Sequence, residues 1–423
     1  MRSFLSLYIT NLFLVGGTGL LTTYLALYVA QQGGETSWIG ILTSCYYIGL
    51  LLGAKLGYRL ISSVGHIRCF AASTAVVIAC VAAHGISDNL YLWLVLRLLV
   101  GVAMMSNFMV LESWLNEQTE PEQRGQVFSF YMITSYIGMV IGQFTLSYFP
   151  LLDYTVLFLV CIVIAIGIVP ISTTRKLHPK PLRPIEVNIV GYLKMVPQSL
   201  TAIFFAGIFN GSFYGLAPIY ASESGFQAEE IAFFMSVTVF AGLIAQWPMG
   251  ILSDKLRRSL LLRFNTAAIF FISLLLFVLT SERQLTFVLT FLYGLFAFTL
   301  YPLASALANS RVDDEDRVGV SSALLIAFGV GAGIGSFVIA QVMSLAGHHM
   351  LYGVISMLTI VMFVLLTLIN NKQKAEKPEP SDYVVSASDV TTSPLAASMD
   401  PRIEESTAQD QLLVVDDNEQ KSN

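Results

Sequence analysis

Long apolar stretches alternate with short polar gaps from residue 5 to residue 370 of this chain. A helix needs about 20 apolar residues to cross the roughly 30 Å hydrocarbon core of a bilayer, and only a helix or a closed barrel pairs its backbone polar groups there. The pattern therefore predicts an all-α membrane protein with twelve transmembrane helices. The predicted spans are 5–29, 38–58, 67–86, 90–112, 126–149, 154–171, 197–220, 229–252, 260–280, 285–308, 318–346 and 348–370.

Composition supports the same class of protein. Hydrophobic residues make up 55% of the chain, charged residues 12%, and the mean hydropathy is +0.70, far from the balance of a soluble domain. The formal net charge of −5 arises after Asn370, where eleven acidic residues stand against five basic ones. The membrane body is close to neutral, so we expect the lipid bilayer but no nucleic acid as a partner.

Residues suited to catalysis or cofactor binding are scattered rather than clustered. The four cysteines have no paired spacing, and no glycine-rich nucleotide loop is present. No group of His, Asp and Glu falls at one depth of the predicted bundle. We therefore expect no enzyme activity, no catalytic residue, no cofactor and no metal site.

Lysine and arginine are concentrated in every second gap between the spans. Cytoplasmic loops carry such an excess, so the pattern predicts that both termini lie in the cytoplasm. Of the gaps predicted to face outward, only the one with Arg283 is basic. The basic residues assigned to the cytoplasm are Lys55, Arg59, Arg68, Arg124, Arg175, Lys176, Lys180, Arg183, Lys194, Lys255, Arg257, Arg258, Arg263, Arg311, Arg317, Lys372, Lys374 and Lys377.

One long gap divides the spans six and six. Residues 172–196 contain three prolines and five basic residues, and we predict that they form a cytoplasmic linker. Residues 1–171 and 197–370 then form an N-terminal and a C-terminal six-helix bundle. Residues 371–423 are polar and acidic, which predicts a disordered cytoplasmic tail, most simply a solvated extension.

A weak internal repeat relates the two bundles. A shift of 193 residues aligns Gly138 with Gly331 and Gly142 with Gly335, and a shift of 192 aligns Gly33 with Gly225. Both shifts are nearly equal and fall at equivalent spans. Two parallel six-helix repeats are an architecture that secondary transporters use to place a substrate site between the halves.

The inner end of the eighth span reads Gly250-Ile-Leu-Ser-Asp254-Lys255-Leu-Arg257-Arg258. This order of a glycine, an aspartate and a basic run resembles a loop motif of the major facilitator superfamily. We predict that Asp254 faces the positive start of the fifth span, near Arg124, and latches the cytoplasmic gate. In the first half Ser62 takes the equivalent place, which predicts an asymmetric gate. The predicted gate residues are Gly250, Asp254, Lys255, Arg257, Arg258 and Arg124.

Several longer segments resemble the YcaD-like group of the same superfamily. They lie in 211–220, 246–255 and 299–303, together with Glu112 and Ser113. The resemblance covers most of residues 1–370 and excludes the tail. It implies a bacterial inner-membrane permease with two pseudo-symmetric six-helix bundles, and it names no substrate.

Two charged residues of the fourth span are candidates for substrate binding or proton coupling. Arg97 lies about seven residues inside the outer end, which is deep for a loop charge, although snorkelling to the headgroups is an alternative. Gly101 follows it at a spacing that the superfamily also tends to have. Glu112 lies near the inner end and is as well explained as an interfacial carboxylate. Fifteen residues of helix separate the two by about 22 Å, so they cannot pair.

Uncharged polar residues in apolar spans are more often interhelical hydrogen bonds than ligand contacts. The exceptions are Asn11, Asn210 and Tyr214, since the first and seventh spans line the cavity in the superfamily that this chain resembles. With Gln143 they predict a cavity of few charges. The substrate is then neutral or singly charged, although an anion still fits at Arg97.

These features predict a secondary active transporter that moves a small organic solute by alternating access. We expect proton coupling and a monomer, and the resemblance favours efflux over an uptake permease. A membrane sensor or scaffold that signals through its tail is the alternative of another class.

Overall fold

The computed structural model describes residues 4–120, 123–149, 152–172, 189–279, 282–312, 314–372 and 392–393. Every regular element in these ranges is helical. Twelve helical segments among them are long and apolar enough to cross a membrane, which confirms the predicted class and number of spans.

The first half contains one helix for each of its six spans. The helix of the fifth span ends at Thr145 and continues directly into a 3₁₀ turn at Leu146–Tyr148, which extends the span by one turn. The helices are α1 (Leu5–Gln31), α2 (Thr36–Val64), α3 (His66–His84), α4 (Leu90–Glu117), α5 (Arg124–Thr145) and α6 (Thr155–Ser172).

The second half has the same six spans, but the tenth is broken at Phe298–Thr299 into two helices. A short helix also precedes the seventh span, at the end of the predicted linker, whose residues 173–188 lie outside the described ranges. The helices are α7 (Ile189–Met195), α8 (Pro197–Glu223), α9 (Ala228–Lys255), α10 (Arg258–Val278), α11 (Arg283–Ala297), α12 (Leu300–Asn309), α13 (Asp314–Ala346) and α14 (Met350–Lys372).

The two sides of the bundle are distinguished by charge. We call the side that carries Arg59, Arg124, Lys255 and Arg257 the basic face. The other side, which carries the turns between α1 and α2 and between α8 and α9, is the opposite face. Gly33 and Gly225 occupy those two turns with φ of 72° and 83°, a conformation that glycine adopts without strain. The repeat that aligns them therefore has a structural counterpart.

Equivalent glycines bring equivalent helices together in the two halves. A Cβ on Gly138 or Gly142 of α5 would collide with the backbone of α1, at Leu12 or Gly16. The aligned Gly331 lies in the same way against the backbone of α8, at Phe204. In lipid, burial of apolar side chains does not drive helices together, because the lipid tails are equally apolar. Small residues allow the close backbone packing that holds the helices together instead.

The halves meet through α2 with α13 and α5 with α9. Ser44 donates a hydrogen bond to the carbonyl oxygen of Gly333 at 2.7 Å. Ser236 of α9 donates to Val140 of α5 at 3.3 Å, and Gly215 of α8 packs on a threonine of α2. These contacts hold the two bundles together.

The predicted disordered tail lies outside the described residues except at its start and at Thr392 and Ser393. Helix α14 extends to Lys372, two residues into that region. Thr392 is 4% exposed and Ser393 is fully buried. At these two residues the structure differs from the solvated extension that the sequence predicts, because Ser393 hydrogen bonds to a buried carboxylate.

Two glycines on one helix allow a matched test of the packing. Gly331→Ala places a methyl group against the carbonyl of Phe204, whereas at Gly333 the nearest atoms lie 3.8 and 4.0 Å from a new Cβ. We expect Gly331→Ala to destabilise the protein by about 1–3 kcal/mol through overpacking, and Gly333→Ala to be close to neutral. Thermal unfolding in detergent measures both, and equal midpoints would contradict the packing account.

Candidate functional site

A small cavity lies among α1, α2, α4, α5 and α8, so both halves contribute to its wall. Apart from Gly19 and Met139, its lining side chains carry hydroxyl, amide or guanidinium groups. The lining residues are Thr18, Gly19, Thr22, Thr43, Tyr46, Tyr47, Arg97, Met139, Gln143 and Tyr214.

Arg97 supplies the positive charge of the cavity wall. It lies about 10 Å along α4 from the helix start and is only 2% exposed. Its guanidinium carbon sits 4.6 Å from the ring centre of Tyr46, a cation–π contact. Within the part of the chain that the structure describes, no carboxylate lies within 4.0 Å of the guanidinium. An uncompensated buried cation is an attractive site for an anionic group.

Five lining residues with hydroxyl groups were not predicted from the sequence. Thr18, Thr22 and Thr43 each donate to the carbonyl four residues earlier in their own helix, at 2.9, 3.0 and 2.9 Å. Since this local bond satisfies a threonine anywhere in a helix, its sequence position gives no sign of a cavity. The adjacent pair Tyr46 and Tyr47, in the middle of an apolar span, is the signal that was available.

Gln143 and Tyr214 line the cavity at the positions that the sequence suggests. The carbonyl oxygen of Gln143 accepts a short hydrogen bond from Thr23, while its amide nitrogen has the Met139 sulfur at 3.9 Å. Tyr214 comes from α8, and its ring packs on Phe298 at 5.6 Å between centroids. The two residues thus bring polar groups from opposite halves to one site.

Asn11 and Asn210, predicted to line the cavity, lie elsewhere. The Asn11 amide nitrogen donates to the Tyr131 carbonyl at 3.2 Å and to the hydroxyl of Ser135 at 2.8 Å. These bonds join α1 to α5, the commoner role of an amide in an apolar span. Asn210 is fully buried in α8 and is not among the residues around the cavity.

Glu112 lies toward the other end of α4 from Arg97, about 8 Å from the helix terminus on the basic face. It is fully buried, which differs from an interfacial carboxylate. Its Oε1 atom accepts a hydrogen bond from the Tyr131 hydroxyl at 3.4 Å and another from the Ser393 backbone N–H at 2.9 Å. The structure therefore separates Arg97 and Glu112, as the helix spacing predicts, and gives the carboxylate its own set of donors.

The gate motif of the second half does not form the predicted latch in this structure. Asp254 is 56% exposed near the end of α9, and its Oδ1 atom lies 3.8 Å from Arg258 at the start of α10 rather than beside Arg124. Arg258 is buried and donates to the carbonyl of Ala306 at 3.1 Å, so it joins the start of α10 to α12. The physical reason is local, because Arg258 lies four residues from Asp254 and is its nearest cation among the described residues.

The remaining motif residues divide by exposure. Gly250 is buried in α9, and Arg124 is 6% exposed at the start of α5. Lys255 and Arg257 are exposed on the basic face.

Twelve spans in two equivalent halves around a polar cavity define a membrane transporter fold. A family model described as Major Facilitator Superfamily matches residues 7–314 and 199–402. The chain belongs to the major facilitator superfamily.

Curated relatives agree with that assignment. The chain is 31% identical over 361 residues to a protein named "Uncharacterized MFS-type transporter YcaD" of Shigella flexneri serotype 5b (strain 8401). The match covers 85% of this chain and 93% of that protein. A protein of the same name from Escherichia coli (strain K12 / DH10B) is 30% identical with the same coverage. The likeness to the YcaD group is thereby confirmed.

Solved structures confirm the fold. The nucleoside transporter NupG superposes with a TM-score of 0.76 at 13% identity, over 88% of this chain and all of that one. A bacterial homologue of the human lysosomal transporter Spinster gives 0.69 at 13% identity, over 88% of this chain and 97% of that one. At these identities the likeness concerns the fold alone.

The asymmetric gate generates a testable prediction. We expect Asp254 to meet the start of α5 only when the halves close at the basic face, where a carboxylate at a helix N-terminus gains about 0.3–1 kcal/mol. Asp254→Asn should then favour the state open at that face. Thr22→Cys, in a background without native cysteines, should react roughly two- to fivefold faster with a maleimide added from the basic face.

Ser62→Ala is the matched control, because the Ser62 hydroxyl only donates to the Arg59 carbonyl of its own helix at 2.9 Å. Labelling of Thr22→Cys should be unchanged by it. Wild-type labelling rates in Asp254→Asn, or a larger effect of Ser62→Ala, would exclude the asymmetric latch.

Proposed function

We propose that this protein is a secondary active transporter of the bacterial inner membrane that moves a small organic solute with one carboxylate or similar anionic group. Arg97 carries the proposal, because it is a buried guanidinium in a cavity wall without a carboxylate beside it among the described residues. A planar guanidinium binds a carboxylate through two parallel hydrogen bonds. The cavity holds one such cation, which suits a singly charged solute.

The other lining groups fit the rest of such a molecule. Hydroxyls of Tyr46, Tyr47 and Thr22 and the amide of Gln143 donate to or accept from neutral polar substituents. The ring of Tyr214 comes from the second half. A solute that touches groups of both halves couples its own binding to their relative movement, as alternating access requires.

Glu112 is our candidate for the proton site. It is a carboxylate buried within a membrane span, a type of residue that marks proton pathways in transporters. About 22 Å of helix separates it from Arg97, so proton and solute would bind at different depths on one rigid helix. The proposal of efflux rests on the resemblance to the YcaD-like group. The proposal that both termini are cytoplasmic rests on the excess of lysine and arginine at the basic face.

A stabilisation screen tests the solute class directly, because a bound ligand raises the unfolding temperature by mass action. We expect hits among small monocarboxylates and none among their methyl esters. Arg97→Ala should weaken binding of a monocarboxylate hit by roughly 10- to 100-fold, the value of a charge-assisted hydrogen bond. Arg97→Lys should retain part of the affinity, since the lysine ammonium keeps the charge but cannot form the two parallel hydrogen bonds of the planar guanidinium.

Arg283→Ala is the control for general loss of positive charge. Arg283 pairs with Glu230 at 2.9 Å on the opposite face, far along the chain from the cavity wall, and its side chain is 56% exposed. Binding should survive this change. Equal affinity of wild type and Arg97→Ala for every hit would refute the role of Arg97.

Proton coupling is tested in proteoliposomes with a screened monocarboxylate. Glu112→Gln removes the titrating group but keeps the shape, so we expect accumulation driven by a pH gradient to be lost while solute exchange continues. Glu117→Gln is the matched control, since Glu117 is exposed at the end of the same helix. Full gradient-driven accumulation by Glu112→Gln would show that another group carries the proton.

Measuring influx and efflux separately distinguishes export from uptake. Binding of the solute without any flux would favour a membrane sensor over a transporter.

A further inference from the structure

Two residues of the C-terminal region are buried although they lie far along the chain from the last span. Thr392 is 4% exposed and Ser393 is fully buried. Polar residues of this kind are mostly exposed, and a polar group that loses water must find a partner. The partner of Ser393 is Glu112, 281 positions earlier in the chain.

The contact uses every donor that Ser393 offers. Its backbone N–H donates to Oε1 of Glu112 at 2.9 Å and to Oε2 at 3.0 Å. Its hydroxyl makes a short hydrogen bond to Oε2. An N–H and an O–H directed at one carboxylate form a charge-assisted pair, which is stronger than neutral hydrogen bonds.

The chain is long enough for this contact without crossing the membrane. Helix α14 begins on the opposite face and ends at Lys372 on the basic face. Glu112 lies about 8 Å from the end of α4 on that same face. The twenty residues 373–392 span at most about 70 Å when extended, so their length places no obstacle to the contact.

The location matters because Glu112 is buried in the transport domain. Its two oxygens accept from the serine on one side, and the Tyr131 hydroxyl approaches Oε1 at 3.4 Å. A proton or a solute N–H or O–H that needs this carboxylate must first displace Ser393. A segment of the chain thus occupies the same acceptor atoms that the proposed coupling step requires.

We propose that Thr392–Ser393 is an internal ligand of Glu112, which inhibits the transporter by occupying the carboxylate until it is displaced. The inhibitory effect rests on the proposed role of Glu112, while the contact itself does not. Recognition depends on a hydroxyl and a backbone N–H donor at position 393 and on a negative charge at position 112. A negative charge at position 393 would face the Glu112 carboxylate and expel the segment.

Hydrogen exchange of the full-length protein tests the contact without any substrate. The Ser393 amide is bound by a buried carboxylate, so the peptic fragment that contains it should exchange one amide roughly 10- to 100-fold more slowly than the same synthetic peptide in solution. Ser393→Asp should remove this protection, and so should Glu112→Ala from the other side. Ser398→Asp adds the same charge five residues further on and should keep it.

Labelling with dicyclohexylcarbodiimide, an apolar reagent for carboxyl groups, tests whether the segment shields Glu112. Mass spectrometry should find Glu112 modified several-fold faster in Ser393→Asp than in wild type or Ser398→Asp. Solution-like exchange of the Ser393 amide in wild type would overturn the contact, and unchanged labelling of Glu112 in Ser393→Asp would overturn the shielding. Both readouts are independent of flux, so a failure of the transport proposal is distinguished from a failure of this one.

Discussion

A guanidinium buried in apolar surroundings is stable only when other groups replace the water that it has lost, and the cavity is organised around this requirement at Arg97. The ring of Tyr46 lies beside the charge, and hydroxyl groups of neighbouring helices share its cavity. None of these groups neutralises it. The proposal of a solute with one anionic group rests on this arrangement, because no carboxylate of the described residues lies beside the cation.

That site is useful only if the helices around it hold their places while the halves move. Within each half, glycine contacts fix equivalent pairs, α1 with α5 through Gly142 and α8 with α13 through Gly331. Between the halves, the hydrogen bonds of Ser44 and Ser236 lie toward the opposite face. Close packing inside each half favours movement of the halves as rigid bodies over deformation. Ser393 hydrogen bonds to Glu112 nearer the basic face. On that face Asp254 does not form the predicted latch.

Much of the fold followed from the sequence, and less of the site did. Span length and hydropathy depend on local composition, so the twelve spans and the glycine pairing of Gly138 with Gly331 were predictable. The depth of Arg97 was predictable for the same reason. The role of Asn11 was not predictable, because the sequence around an asparagine in a helix does not show whether its side chain faces a cavity or a neighbouring helix, as it does here at Ser135. The contact of Ser393 depends on tertiary structure across most of the chain, and no local pattern encodes it.

The most direct test of the account is the distance between Arg97 and a bound solute. In lipid, solid-state NMR with ¹⁵N-labelled arginine and a ¹³C-carboxylate solute from the screen detects pairs of atoms a few ångströms apart. A bidentate contact predicts strong dephasing of one arginine side-chain signal, at a nitrogen-to-carbon distance of roughly 3–4 Å, and its loss in Arg97→Lys. Saturated binding without dephasing, or dephasing that persists in Arg97→Lys, would contradict the account.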